Sequence, residues 1–416
     1  VTPKVAGSSP VSLATLRSRP VWTDGEGRRV RPLRSSCSHL SVGHFVLCAG
    51  RGVGLCVWCT VGSEVFSMIE AGFIFAFFAA LAAAAFTFFV IPVMMPFLRR
   101  HALASVNARS SHKVPTPQGA GIPMTIAIVG VFAVAIIFAP FLAGIDRTIL
   151  AALAAGAALI SALGFFDDVK PLPVLPRVGG QIALIGLMLY VTPSYVALFD
   201  GALPLWLERL FAGVALFWMI NLTNFIDGLD WLTVAQFTPV ATILIILSIF
   251  AMPTPLVAMI MAPVLGGLIG FAPYNKPVAK LFLGDTGSLV IGLVGGYALY
   301  RVATDISFFA AVIIPLYALA DTTITVIRRL TRGEKIWTPH RSHFFQRATT
   351  MGWSVKQIVG IVFGLNIFLA FCGWMAAHAT TNTVTMIAFM MALGAVLVTL
   401  RAFTRAPSEV MAPSSL

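Results

Sequence analysis

The sequence predicts an all-α membrane protein, a polytopic bundle of about eleven transmembrane helices whose polar motifs lie in loops on one side. Three observations predict this class. Of the 416 residues, 58% are hydrophobic and only 11% are charged, whereas soluble domains carry about 25% charged residues. Apolar stretches long enough to cross about 30 Å of hydrocarbon recur along most of the chain. Lys and Arg concentrate in alternate loops between these stretches.

The predicted spans follow one another with mostly short polar connections. They cover residues 69–98, 121–143, 147–165, 178–199, 205–220, 232–252, 255–272, 287–302, 307–327, 356–376 and 382–402. The fifth and eighth are the shortest, near the lower limit of about 17 residues for a crossing. Together the spans define a predicted membrane domain over residues 68–405 and a cytoplasmic tail over 406–416.

Residues 1–67 do not share this pattern. They are rich in Arg and Ser, hold four of the five cysteines and contain no methionine before Met68. We therefore expect residues 1–67 to be a non-native or disordered N-terminal extension. Cys56 and Cys59 form a lone CxxC pair, which is a weak signal for a metal site without further ligands at suitable spacing.

One set of alternate loops carries nearly all the positive charge. These are the loops at 99–120, 166–177, 221–231, 273–286 and 328–355, whereas the other set holds only Arg147, Arg209 and Arg301. The positive-inside rule places the first set in the cytoplasm. The net charge of +12 suits a protein facing anionic lipid, so no nucleic-acid partner is expected.

Two adjacent carboxylates, Asp167 and Asp168, follow the third span within the segment GFFDDVK. Like charges this close raise one pKa or recruit a cation. The pair suits a general base or a metal-linked phosphate site, and the alternative is a charged helix terminus.

The stretch after the fifth span repeats polar residues every three positions: Asn221, Asn224, Asp227 and Asp230. This spacing gathers oxygen ligands and amide donors on one side of a helical turn. Oxygen-rich sites without Cys or paired His favour Mg²⁺ or Mn²⁺ over zinc. The alternative is a helix cap with an Asx turn.

Three further segments on the same side carry phosphate-binding chemistry. Phe282-Leu-Gly-Asp285-Thr-Gly-Ser has glycines that let backbone amides approach a phosphate, and an acid that suits a metal. The last long loop contains His340, Arg341 and His343, and the first contains His112 and Lys113 beside a Pro/Gly turn. Arg and His donate to phosphate oxygens. We therefore expect the active site in the cytoplasmic loops.

Asp321 stands apart because it lies inside the ninth predicted span. An acid within the membrane needs a partner. We expect a structural ion pair with a neighbouring Arg.

Five segments in this order resemble the polyprenyl-phosphate N-acetylhexosamine-1-phosphate transferases of glycosyltransferase family 4. They are SHKVPTPQGAG, GFFDDVKPL, NLTNFIDGLDW, FLGDTGS and PHRSHFFQRA, and the resemblance covers about residues 68–405. It implies a multi-pass enzyme of the bacterial inner membrane that uses Mg²⁺. Such an enzyme transfers N-acetylhexosamine-1-phosphate, with GlcNAc or a derivative as the sugar, from a UDP-sugar to undecaprenyl phosphate and releases UMP. A homodimer is a further expectation for such an enzyme.

The resemblance also implies residue roles. Asn224 and Asp285 would hold Mg²⁺, and Asp167 and Asp168 would serve as base or nucleophile and as the lipid-phosphate site. Asp227 and Asp230 would lie by the uridine, and Phe282 would stack on the uracil. His340, Arg341 and His343 would grip the pyrophosphate and sugar. The catalytic candidates are Asp167, Asp168, Asp227 and His340, and the substrate-binding candidates are His112, Lys113, Asn221, Asp230, Phe282, Arg341 and His343.

Two departures separate this chain from the muramoyl-pentapeptide transferases within that resemblance. The last loop reads His-Arg-Ser-His instead of adjacent histidines, and Trp231 follows Asp230 where those enzymes commonly have Gly. Both favour an enzyme that initiates O-antigen or another surface polysaccharide, with the pentapeptide transferase as the alternative. A transporter is the rival from another class, but it would place ionisable residues near the bilayer midplane, where this sequence offers mainly Asp321.

Overall fold

The computed structural model of the protein describes residues 56–104, 115–138, 146–199, 202–251, 255–335, 338 and 340–408, with side chains from Gly72 onward. The architecture belongs to a compact unit, Trp58–Leu416. Its elements are α1 Cys56–His101, β1 Leu103–Ala104, β2 Thr116–Pro117, α2 Gly121–Phe138, α3 Arg147–Val169, α4 Val174–Val191, α5 Leu205–Ile226, α6 Leu232–Ala251, α7 Leu256–Asn275, α8 Asp285–Asp305, α9 Phe308–Ile313, α10 Leu316–Thr331, α11 Phe344–Thr350, α12 Val355–Ala377 and α13 Asn382–Ala402.

Ten helices in the described part of the chain are long and apolar enough to cross a membrane. The predicted all-α polytopic fold is therefore confirmed. The prediction of eleven continuous spans was wrong in one place, because the ninth span divides into the short helices α9 and α10. Pro315 stands at the junction, where it offers no amide hydrogen for the helical ladder.

Several helices extend beyond their predicted ends. α1 begins at Cys56 rather than near residue 69. α3 continues to Val169, so Asp167 and Asp168 lie in its last turn and not in a loop. Hydropathy marks where polar residues begin, whereas the helical backbone continues until a residue stops it. For α3 that residue is Pro171, which disfavours helical geometry at Lys170 before it.

The core is organised around α8, the most buried of the ten candidate spans. It packs against α2, α3, α5 and α7. Gly292 faces the backbone of Ile220 on α5, where an added Cβ would collide with the chain. Small residues of this kind let membrane helices approach closely. The N-terminus of α8 is thereby held beside the C-terminal turns of α3 and α5.

A two-stranded antiparallel sheet lies at this end of the bundle, between α1 and α2 in the sequence. Leu103 in β1 pairs with Pro117 in β2, and Gln118 forms a parallel bridge with Phe282 just before α8. The amide N–H of Phe282 also donates to the carbonyl of Pro117 at 2.9 Å. The Pro/Gly turn of the loop at 99–120 therefore lies directly against the segment that carries Asp285.

Candidate active site

The predicted motifs meet at one end of the helix bundle. The last turn of α3, the last turns of α5, the first turn of α8, the β2 turn and the loop before α11 all contribute. Gln118 Nε2 donates to the backbone carbonyl of Asp168 at 2.7 Å. Gly228 packs against the ring of Phe345 in α11. Segments separated by more than a hundred residues in the sequence thus form a single polar surface.

Asp168 is bound to the first turn of α8. Its carboxylate accepts the backbone N–H groups of Asp285 at 3.0 Å and Thr286 at 3.1 Å, and the Thr286 hydroxyl at 2.6 Å. An anion at a helix N-terminus satisfies amides that have no partner within the helix and interacts favourably with the helix dipole. Asp168 therefore caps a different helix from its own and fixes the position of Asp285.

Asp167, Asn224 and Asp285 surround the guanidinium of Arg177. Arg177 Nη1 lies 3.1 Å from Asp167 Oδ2 and 3.6 Å from Asp285 Oδ2. Arg177 Nη2 donates to Asn224 Oδ1 at 3.0 Å. Asn224 Nδ2 in turn donates to Asp285 Oδ1 at 2.6 Å and to Ser288 Oγ at 3.1 Å. The side chains of Asp285 and Arg177 remain 23% and 27% exposed, so this centre is open to a ligand.

Arg177 was missed as a site residue by sequence reasoning, which counted it only as loop charge. The structure places it in the first turn of α4, at the centre of the acids. The sequence does hold a signal for this residue, because a Pro-rich turn lies between the acid pair and Arg177. That turn reverses the chain and returns Arg177 to the end of α3.

The residues present fit a hard divalent cation. Three oxygen-bearing side chains of Asp167, Asn224 and Asp285 converge on one positive group, and oxygen ligands are those that Mg²⁺ prefers. In the described residues no group of three or more His, Cys, Asp or Glu side chains is arranged as a metal site. Mg²⁺ sites in phosphate-transferring enzymes commonly have only one or two carboxylates, with waters and substrate phosphates completing the coordination. The metal itself stays a prediction.

Asp227 forms the C-cap of α5. Burial raises the pKa of this carboxyl to about 8, with a smaller contribution from the charges of Asp285 and Asp168. The hydroxyl of Thr233 donates to Asp227 Oδ1 and opposes the rise. A carboxyl near neutrality in its pKa is typical of functional sites, although structural networks produce such shifts as well.

Three further predicted site residues have contacts outside the Arg177 cluster. Asn221 lies one turn deeper in α5 and donates to Gln181 Oε1 at 2.9 Å. Asp230 is buried and accepts the amide of Ala279 at 2.9 Å, which ties the turn after α5 to the loop after α7. Phe282 is half-buried, and its backbone is bonded to the β2 turn. Their proposed contacts with substrate stay predictions.

Asp321 holds the loop that contains His340, Arg341 and His343, called the histidine loop below. The prediction that an Arg would pair with Asp321 was wrong. Asp321 does not rely on an Arg. It accepts His343 Nδ1–H at 2.9 Å and the amides of Phe344 at 3.2 Å and Phe345 at 3.3 Å. The N-terminus of α11 supplies neutral backbone donors together with a histidine, so the buried charge needs no guanidinium. His343 is itself buried.

The remaining candidates differ in how far the structure describes them. His340 is half-buried with its ring centroid 5.0 Å from that of His343, and Arg341 is exposed beside it. Arg329, buried in α10, organises the chain leading to this loop through Glu334 at 2.8 Å and the carbonyl of Lys335 at 2.8 Å. His112 and Lys113 lie outside the described residues, as does nearly all of the predicted extension 1–67.

The fold and this site are those of a polytopic membrane protein with a polar cluster at one end of its helix bundle. The profile of glycosyl transferase family 4 matches residues 150–303, from the start of α3 to the end of α8. The matched region contains the acid pair, the Asn/Asp segment and Asp285. The resemblance to this family predicted from the sequence is confirmed.

Curated relatives match at 26% identity. One is the decaprenyl-phosphate N-acetylglucosaminephosphotransferase of Mycobacterium tuberculosis (strain ATCC 25618 / H37Rv), over 68% of this chain and 78% of that protein. Another is the probable undecaprenyl-phosphate N-acetylglucosaminyl 1-phosphate transferase of Bacillus subtilis (strain 168), over 69% and 82%. A third is the phospho-N-acetylmuramoyl-pentapeptide-transferase of Symbiobacterium thermophilum, over 71% and 94%.

Proposed function

We propose that this protein transfers N-acetylhexosamine-1-phosphate from a UDP-sugar to undecaprenyl phosphate at the cytoplasmic face and releases UMP. The observation that carries the proposal is the cluster of Asp167, Asn224 and Asp285 around Arg177 at one end of the bundle. A lipid phosphate presents its headgroup only at such an interface. A nucleotide sugar approaches from the aqueous side, so both substrates can meet at this position.

The chemistry requires a phosphate to attack a diphosphate. An oxygen of the lipid phosphate forms a bond to the phosphorus that carries the sugar. The bond from that phosphorus to the bridging oxygen breaks, and the electron pair leaves on UMP. Since both reactants are anions, catalysis depends on positioning and charge neutralisation. Arg177 supplies one positive charge at the acid cluster, and Arg341 supplies another from the exposed loop before α11.

The acids divide the work in this proposal. Asp168 accepts three hydrogen bonds from the first turn of α8, so its proposed role is to hold Asp285. Asp167 is 13% exposed and accepts from Arg177 and from the amide of Leu172, and it is the proposed residue for orienting or deprotonating the lipid phosphate. Asn224 and Asp285 would hold Mg²⁺, which would supply further neutralisation of the pyrophosphate when bound.

The pathway is proposed to be initiation of O-antigen or another surface polysaccharide. Two of the named relatives are N-acetylglucosamine phosphotransferases. In this chain two residues separate His340 from His343, whereas the muramoyl-pentapeptide transferases of the sequence analysis have adjacent histidines. GlcNAc or a modified N-acetylhexosamine is the proposed sugar.

The test is UMP release by the purified protein with undecaprenyl phosphate and a panel of donors. We expect release with UDP-GlcNAc or another UDP-N-acetylhexosamine, accompanied by labelled lipid product. UDP-MurNAc-pentapeptide should give none. Preference for the pentapeptide donor would replace the proposed substrate, and uptake of the sugar into vesicles without a lipid product would indicate a transporter.

A further inference from the structure

A buried carboxylate in α10 connects this helix to the loop that carries His340 and His343. Asp321 has 0% exposure. Its Oδ1 accepts His343 Nδ1–H and the amide of Phe344, and its Oδ2 accepts the amide of Phe345 and the Tyr317 hydroxyl at 3.3 Å. Four donors around one carboxylate specify its orientation, because each lone-pair direction has a partner.

The ring of His343 is held by aromatic neighbours as well. Its centroid lies 5.5 Å from Phe345 in a stacked arrangement, 5.0 Å from His340 and 5.8 Å from Phe225. Phe225 stands between Asn224 and Asp227 at the end of α5. The ring therefore contacts the end of α5 that carries Asn224 and Asp227, and its neighbours restrict its rotation and plane.

We propose that Asp321 is a positioning residue that acts through His343. By accepting from Nδ1 it leaves Nε2, on the side of the ring away from Asp321, as the second hydrogen-bonding nitrogen of His343. It also anchors the N-terminus of α11, which fixes the position of the preceding loop with His340 and Arg341. Carboxylates that orient a histidine by its second nitrogen set both tautomer and geometry. This inference rests on the proposed phosphotransfer at the same site.

The test uses the full-length protein with UDP-GlcNAc and undecaprenyl phosphate. Asp321→Asn should lower kcat by about 10- to 100-fold, the range found when such orienting partners are removed. The KM for UDP-GlcNAc should change less, because the residue does not touch the nucleotide. Tyr317→Phe is the matched control, since it removes one donor to Asp321 and leaves the pair with His343 intact. It should retain most of the wild-type turnover.

Two histidine variants separate positioning from folding. His343→Asn places an amide near the position of Nδ1, and His343→Gln places one near Nε2. We expect His343→Asn to melt near the wild-type temperature and still turn over poorly. The double variant Asp321→Asn with His343→Gln should be no slower than the slower of its two single variants, because groups that act as a unit are non-additive. Multiplied effects in the double variant would overturn the inference.

An activity-independent measurement distinguishes this inference from the proposed function. In ¹⁵N-histidine spectra, the signal of His343 is identified as the one that His343→Asn lacks. In the wild type its chemical shifts should show a proton on Nδ1. In Asp321→Asn the same signal should have different chemical shifts. An unchanged signal in Asp321→Asn overturns the positioning role. A wild-type protein that shows the expected ring signal but releases UMP from no donor leaves the positioning role standing and refutes the phosphotransfer function.

Discussion

At the scale of single residues, the site is a set of carboxylates with unequal duties. Asp168 is engaged by the N-terminus of α8, and Asp321 by the N-terminus of α11. Asp167 and Asp285 share the cation Arg177. Their hydrogen bonds divide the four acids into two that bind helix N-termini, Asp168 and Asp321, and two that share a cation, Asp167 and Asp285.

The proposed metal role of Asp285 is tested by Asp285→Asn. The amide keeps the shape of the side chain but loses the charge that holds a hard cation, so we expect the Mg²⁺ concentration for half-maximal UMP release to rise roughly tenfold or more. Melting in detergent should change little. Asp305→Asn, at the other end of α8 and paired with Arg301 at 2.7 Å, is the matched control and should leave the titration unchanged. An unchanged titration in Asp285→Asn would remove this residue from the metal site.

Asp227 predicts a pH dependence of stability. Its pKa is raised in the folded protein from 3.8 to about 8, so folding favours the protonated carboxyl. The corresponding stability is fully present below about pH 4 and is lost as the pH rises through about 8. In metal-free detergent the melting temperature of the wild type should fall over this window more than that of Asp227→Asn, which does not titrate. Parallel pH profiles for the two proteins would show that the shift is not present.

At the scale of helices, close backbone contacts position the site. Gly164 of α3 faces the backbone of Asp285, which leaves no room for a Cβ. Gly292 makes the corresponding contact between α8 and α5. These contacts explain why the acids of three helices reach one centre, since a larger residue at either glycine would separate the helices that carry them.

Gly164→Ala tests this packing. The added methyl group must push α3 away from α8 and so displace Asp167 and Asp168 from Asp285, and overpacking of this kind costs about 1–3 kcal/mol. We expect turnover to fall by about 10²-fold, because small misplacements in a phosphotransfer site are costly. Gly186→Ala on α4, where nothing lies within 4 Å of the added carbon, is the control. Equal activity of the two variants would mean that the contact does not position the site.

At the scale of the whole molecule, the two ends of the bundle differ in their polar contacts. One end gathers the acid cluster, Arg177 and the histidine loop. At the other end, Arg209 is bonded to the carbonyls of Thr192 and Pro193 and to the Tyr300 hydroxyl. In the proposed orientation the end with the acid cluster faces the cytoplasm, because the loops on that side hold most of the Lys and Arg residues.

The sequence by itself determined the class of fold, the membrane environment, the family and the identity of most polar residues at the site. Hydrophobic length and motif composition are local properties, so Asp167, Asn224 and Asp285 could be found without coordinates. Only the tertiary structure decided which side chains meet. Arg177 reaches the acids, Asp321 pairs with His343 rather than an Arg, and Asn221 and Asp230 face other partners. These outcomes depend on where helices end and how closely glycines let them pack, and a linear pattern does not encode the distances between segments far apart in the chain.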